Sequence, residues 1–245
     1  MASGNPAPNL ADRAQSRDLE ELLAVASNHA LTEDLALALL TRRDLPPNVI
    51  EAISKNASVL KHRKVILSVA SHPKAPRHVS LPLTRHLYTF ELVKIALLPA
   101  VPADVKVAVD EVIISRLEQI SEGERLTLAK MASGRVAGAL LLVRQERVIE
   151  AALQNPKMTE DVVIRALGHR KVPAHAVRIV CVHPTWSVRR DIRLALLRNP
   201  HTPLASAILF ASEFPDHLVR EVLSKSKMRV EIKKYLLAAL DKKSL

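Results

Sequence analysis

Three arginines, Arg189, Arg190 and Arg193, stand close together in the stretch His183–Pro203, HPTWSVRRDIRLALLRNPHTP, beside the chain's one tryptophan, Trp186, and Asp191. The stretch reads as a proline-bounded turn, a long amphipathic helix with the arginines near its start, and a second turn at Asn199-Pro200. Guanidinium groups grouped in this way suit phosphate or carboxylate, because each presents a planar fork of N–H donors. Aligning the chain's other Asn-Pro and His-Pro turns brings Arg63 level with Arg190, and Lys64 level with Arg147. Arg144 joins the set, and the last copy supplies Arg229 and Lys233, with Lys227, Lys234 and Arg198 nearby. Stacked repeats place equivalent positions in a line. Arg63, Lys64, Arg144, Arg147, Arg189, Arg190, Arg193, Arg229 and Lys233 are therefore the expected polyanion-binding residues, a ridge that neutralises backbone phosphates without reading bases. The middle helix interrupts it, with Lys106 and Arg116 among Asp104, Asp110, Glu111 and Glu118. A cation at a helix start opposes the macrodipole by ~0.3–1 kcal/mol, a cost that a plain solvated face also tolerates.

Other candidate groups carry less chemistry. Arg42-Arg43, Arg85-His86 and His169-Arg170-Lys171 each close a short helix, where positive charge complements the C-terminal dipole. His169, His175 and His183 lack the tight pairing of a zinc motif and read as turn residues. Cys181 lies in the apolar run Val177–Val182 and reads as core, and a single cysteine excludes an internal disulfide framework. No glycine-rich phosphate loop and no nucleophile–base set is legible, so no catalytic residue, metal or cofactor is expected.

The elements that must position these residues follow from composition and repetition. Apolar residues make up 48% of the 245, aromatic residues only 2%, so the core must be Leu, Val, Ile and Ala. Glycines number 5 and prolines 15. Few positive-φ turns and many abrupt helix starts point to an all-α chain. The turn phrase recurs at Ser27 (SNHALTEDL), Ser71 (SHPKAPRHV), Gln154 (QNPKMTEDV) and Arg198 (RNPHTPLAS), at intervals of 44, 83 and 44 residues. A degenerate copy, Val101–Ile120 followed by Ser121-Glu122-Gly123-Glu124, fills the long interval. About five repeats of 40–44 residues result, each of three short helices, which bury their apolar stripes only by stacking. Residues 1–17, small and polar, read as a disordered tail, residues 18–245 as one domain, and Met228–Leu240 as its terminal cap.

Charge is unevenly spread. Residues 144–245 hold 19 basic side chains against 10 acidic, out of a whole-chain net charge of +11. A polyanionic partner is the expectation, nucleic acid before an acidic protein. The start, MASGNPAPNLADRAQS, lacks the basic and apolar segments of a secretory signal, and no run of about 18 apolar residues spans a bilayer. A cytoplasmic protein without stable membrane insertion is the corresponding expectation.

The phrases VRRDIRLALLRNPHTP and VIEAALQNPKMTEDVVIRAL resemble bacterial HEAT-like and armadillo-like repeats, including the leucine-rich-repeat-variant type. The resemblance extends from about Asp18 to Leu240, strongest over Val148–Ser224 and weakest over Val101–Val143. It implies a right-handed α-solenoid used as a non-enzymatic binding scaffold. Two alternatives stand beside nucleic-acid binding. One is an adaptor for an acidic protein. The other takes WSVRRD as similar to HEAT-like DNA glycosylases, which would set Trp186 and Asp191 beside a damaged base; against it, Trp186 also reads as a hydrophobic staple across its helix start.

Overall fold

A computed structural model describes residues 9–243, and among them every regular element is an α-helix. The helices fall into two compact units, which divide between Arg116 and Leu117. That division lies within Val101–Val143, the stretch where the repeat phrase is weakest. In the N-terminal unit the helices are α1 (Leu10–Ala14), α2 (Leu19–Ala26), α3 (Glu33–Thr41), α4 (Pro47–Lys55), α5 (Ala57–Leu60), α6 (Arg63–Ser71), α7 (Arg77–Thr84), α8 (Thr89–Leu97) and α9 (Ala103–Arg116). The C-terminal unit holds α10 (Glu122–Met131), α11 (Gly134–Leu140), α12 (Glu146–Leu153), α13 (Glu160–Leu167), α14 (Ala174–Val182), α15 (Arg190–Arg198), α16 (Leu204–Ser212), α17 (Asp216–Ser224) and α18 (Val230–Lys243).

Two expectations need adjusting. Helix begins upstream of Asp18, because α1 lies within the stretch read as a tail and buries Ala14; residues 1–8 of that stretch fall outside the described residues. The long helix of the repeat is long only in some copies: α9 and α18 have 14 residues each, whereas α6, α12 and α15 have 9, 8 and 9, and Pro184–Val188 before α15 are turn.

Helix starts follow the local sequence. Asp18, Thr32, Asn56, Ser121 and Ser133 accept a first-turn N–H on their side chains. Pro46, Pro76, Pro173, Pro203 and Pro215 stand at the N-cap of α4, α7, α14, α16 and α17, where a missing N–H costs nothing.

Helix ends explain the repeated phrase. Proline disfavours helical backbone in the residue before it. His72, His183 and Asn199, each followed by proline, accordingly have ψ of 130°, 127° and 135° and end α6, α14 and α15. The side chain of that residue then replaces the lost helical bonds. Asn155 and Asn199 accept the N–H two residues on, at 2.7 and 2.9 Å. Their amides donate across to carbonyls of an earlier helix end, Asn155 to Ala129 and Ala132, and Asn199 to Leu167. Asn56 does the same with Ser58 on one side and Ala26 and Asn28 on the other. His72 takes this role with a ring: Nδ1 accepts from the Lys74 N–H, so Nε2 carries the proton that it shares with the Arg42 carbonyl at 3.3 Å. Since no residue among those described has a positive φ, the turns need no glycine, which accounts for its scarcity.

Side-chain turns of this kind occur at Asn155, His169, His183 and Asn199, at intervals of 14, 14 and 16 residues. The 44-residue period seen in the sequence is thus three successive helix-and-turn modules. Helices pack both on adjacent helices, as α8 on α9, α6 on α7 and α15 on α16, and on next-but-one neighbours: α2 on α4 and α7 on α9 in the first unit; α10 on α12, α11 on α13, α13 on α15 and α15 on α17 in the second. The core of each is aliphatic, with Leu39, Ile50, Ile53 and Leu92 buried in one, and Leu128, Ile149, Val177 and Leu196 in the other.

Candidate polyanion interface

The nine basic residues expected at helix starts divide into two kinds. In the N-terminal unit Arg63 opens α6, and its guanidinium pairs with both carboxylate oxygens of Glu91 at 2.9 Å. It also lies 3.1 Å from the centroid of the Tyr88 ring. Glu91 is held below the usual carboxylate range, by Arg63 first and then by the Tyr88 N–H that it caps. Arg63 is a tie between α6 and α8. Lys64, next to it, is exposed and has no partner among the described residues.

In the C-terminal unit the same division holds. Arg189 caps α15, pairs with Glu160 at 3.0 Å and lies 5.0 Å over the Trp186 ring. Arg193 is largely buried, donates to the Ser187 carbonyl at 2.6 Å and pairs with Glu213. Lys233 of α18 donates to the Ser226 carbonyl at 3.2 Å. Each of these three spends at least one donor on a tie within the fold. Arg144 and Arg147, on either side of Gln145 at the start of α12, and Arg229, just before α18, are exposed without partners among the described residues. Arg190 is exposed too, and its one ion pair is to the adjacent, equally exposed Asp191 at 3.6 Å, a pair of little energetic weight. The line of nine charges therefore reduces to five open ones, four of them in the C-terminal unit.

The second basic group splits in the same way. Arg42 is structural: it donates to the Ala14 and Ser16 carbonyls at 2.8 Å and grips Asp44 with two more donors. His169 and Arg170 instead stand in the wall of a cavity of about 430 Å³, together with Arg198, His201, Lys225 and Lys227. These residues come from the turns after α13, α15 and α17. A second cavity of about 430 Å³ lies between α11 and α13, bordered by Arg135, Arg165 and again His169. No Asp or Glu lines either cavity. Sequence reading took these cations one turn at a time and missed the assembly. Its trace was the recurrence of basic residues at 170, 198 and 227, every 28–29 residues, a spacing that means adjacency only once helices stack on next-but-one neighbours.

The remaining candidates differ in burial. Trp186 is buried and its indole N–H donates to the Leu153 carbonyl at 2.9 Å, which fixes it as a core residue. Asp191 is exposed on the first turn of α15. Burial pushes the Cys181 thiol up to about 11, against a smaller opposing effect of a hydrogen bond with Ser206; a thiol so protonated is a poor nucleophile. Burial lowers His183, and also His72, where the Arg42 carbonyl partly opposes it. Among the described residues no group of three His, Cys, Asp or Glu side chains is placed to hold a metal ion, and no helix is long and apolar enough to cross a membrane. Comparison of the chain with protein-family models, with curated proteins and with solved structures finds no match.

Proposed function

We propose that this chain is a non-enzymatic helical-repeat scaffold, a right-handed α-solenoid of the HEAT/armadillo type in the cytoplasm, that binds nucleic acid through its phosphates. The observation that carries the reading is the set Arg144, Arg147, Arg190 and Arg229. They open α12, α15 and α18 and keep their charge free of strong internal pairs, while Arg63, Arg189 and Arg193 lose theirs to Glu91, Glu160 and Glu213. Exposed cations without a strong internal ion pair, of which only Arg190 also lies over a ring, that of Phe214 at 5.7 Å, suit counterion release from a phosphate backbone on the half of the chain that holds the excess positive charge.

The test is a titration of the full chain with labelled duplex and single-stranded oligonucleotides at two salt concentrations. Arg144→Glu, Arg147→Glu and Arg190→Glu together are expected to weaken duplex binding at least about tenfold, with a shallower salt dependence. Binding that ignores these substitutions removes the residues from the interface. Substituting Arg189 or Arg193 is a poor probe, because it would break ties within the fold.

An adaptor for another protein is favoured by a different observation. Leu204, Ile208 and Leu209 stand on α16, exposed by 39, 39 and 57%, and contiguous apolar surface of this kind marks interaction sites. Retention of one defined acidic protein by the chain after nuclease treatment, lost in Leu209→Asp, would establish that reading in place of nucleic acid.

A further inference from the structure

The two cavities of the C-terminal unit form, we propose, a groove for one nucleic-acid strand, with successive phosphates seated along Arg165, His169, Arg170, Arg198 and Lys227 and the bases turned outward. This deepens the proposed function and rests on it. The cavities are neighbours by construction, since His169 stands in the wall of both. One is formed where the turns after α13, α15 and α17 come together, the other where α11 faces α13.

Cations at helix C-termini ordinarily need no ligand to explain them, because they complement the dipole and bond the last carbonyls. Here key carbonyls are already taken. The Leu167 carbonyl accepts from the Asn199 amide at 2.7 Å, and the Arg198 carbonyl from the backbone N–H of Lys227 at 3.1 Å. The side chains of Arg170, Arg198 and Lys227 make no hydrogen bond or ion pair among the described residues, so their donors are left over after capping. One acidic side chain acts on this rim, Glu221. It pairs with Lys225 at 2.9 Å, and Lys225, then Arg198 and His217 hold it below the usual carboxylate range. Glu221 thus offsets Lys225 and part of Arg198, while neither Arg170 nor Lys227 has an ion pair among the described residues.

The linings also say how a strand is held. Between the cations stand Gly168, Val172, Ala195 and Pro200 in one cavity, and Gly138, Ala139, Leu142 and Val162 in the other. Neither contains a Phe, Tyr or Trp, so there is no platform on which a base stacks. Recognition falls to the backbone, and it is indifferent to base sequence. A concave, basic slot running on from one cavity to a second fits one flexible strand, whereas the exposed helix starts suit the convex backbone of a duplex.

The experiment follows fluorescence anisotropy of the full chain with a labelled oligothymidylate and with a duplex, at about 50 and about 200 mM salt. Arg170→Glu with Lys227→Glu is expected to weaken the single strand about tenfold or more and to lower its salt slope by about two, with duplex binding changed less than about threefold. Arg144→Glu with Arg190→Glu is expected to do the reverse. The milder pair Arg170→Ala with Lys227→Ala, which removes no side-chain bond of the fold, is expected to show the same preference at smaller size and guards against misfolding. A wild-type chain that binds the strand while both groove pairs leave binding unchanged overturns the groove and spares the proposed function. A wild-type chain that binds neither oligonucleotide overturns both. In competition at equal phosphate, unlabelled oligodeoxyadenylate should displace the strand as well as unlabelled oligothymidylate does, within about threefold; a larger preference for either base overturns a groove that holds the strand by its phosphates alone.

Discussion

Asparagine and histidine occupy the same position in the turns of this chain because each offers an acceptor to the N–H two residues on and a donor to a distant carbonyl. Alanine offers neither. Asn199→Ala should lose the bond to Leu167 and the turn at His201 and cost about 1–3 kcal/mol, read as a lower denaturant midpoint with unchanged slope. Asn199→Asp keeps the acceptor, places it against a carbonyl, and should cost at least as much. His72→Asn should be tolerated, and it should change the pH dependence. His72 is held below the ordinary histidine value of 6.5 by burial, so the unfolded chain binds the proton more readily. Its contribution to stability is present above pH 6.5 and is lost as the pH falls from there through the lower native value. The asparagine variant should show a flatter dependence of unfolding free energy as the pH is lowered from about 6.5. At this scale the sequence announced the turns through Asn-Pro and His-Pro, but it could not announce their distant partners. Trp186 shows the limit: its place beside a helix start was legible, its bond to Leu153 was not.

Helices were legible as elements because proline and capping residues punctuate them: α14 and α16 run over the residues that their turn residues predict, Ala174–Val182 and Leu204–Ser212. The period was legible only as a multiple. Three short helices per unit were legible; that the turns inside the unit, at His169 and His183, use the same side-chain bond as those at Asn155 and Asn199 was not. Close approach between helices was invisible in the sequence, although two glycines mark it. A Cβ on Gly138 of α11 would run into the Val162 side chain of α13, and one on Gly134 into the Lys157 carbonyl. Gly138→Ala should gain helix propensity and still lose about 1–3 kcal/mol through overpacking. Gly123, whose Cβ would meet nothing within 4 Å, provides the control: Gly123→Ala should be neutral or slightly stabilising, both variants being read by their denaturant midpoints.

For the whole molecule, the sequence located the excess of positive charge correctly in the second half but could not say which charges the fold consumes. Arg63, Arg189 and Arg193 belong to the same sequence pattern as Arg190 and Arg229, yet carboxylates from other helices neutralise them, and those carboxylates lie 20–29 residues away in the chain. Charge asymmetry of this size has a measurable signature. If four open cations contact phosphate, affinity should fall by about 10²-fold between 50 and 200 mM salt. A fall of less than about threefold would assign the basic surface to solubility instead.

The cross-chain ties have one more consequence. Asn56 to Ala26, His72 to Arg42, Arg116 to Leu87 and Asn199 to Leu167 each reach back only 29–32 residues, and Asn155 to Ala129 reaches 26. Native interactions of this kind never wait for the far end of the chain. Contact order is low, so folding should be fast, on the microsecond-to-millisecond scale, and should begin wherever three successive modules first dock. The reverse process should start from the ends. Amide hydrogens of α1 and α18 should exchange well before those of α6 and α13, whose neighbours on both sides must open first.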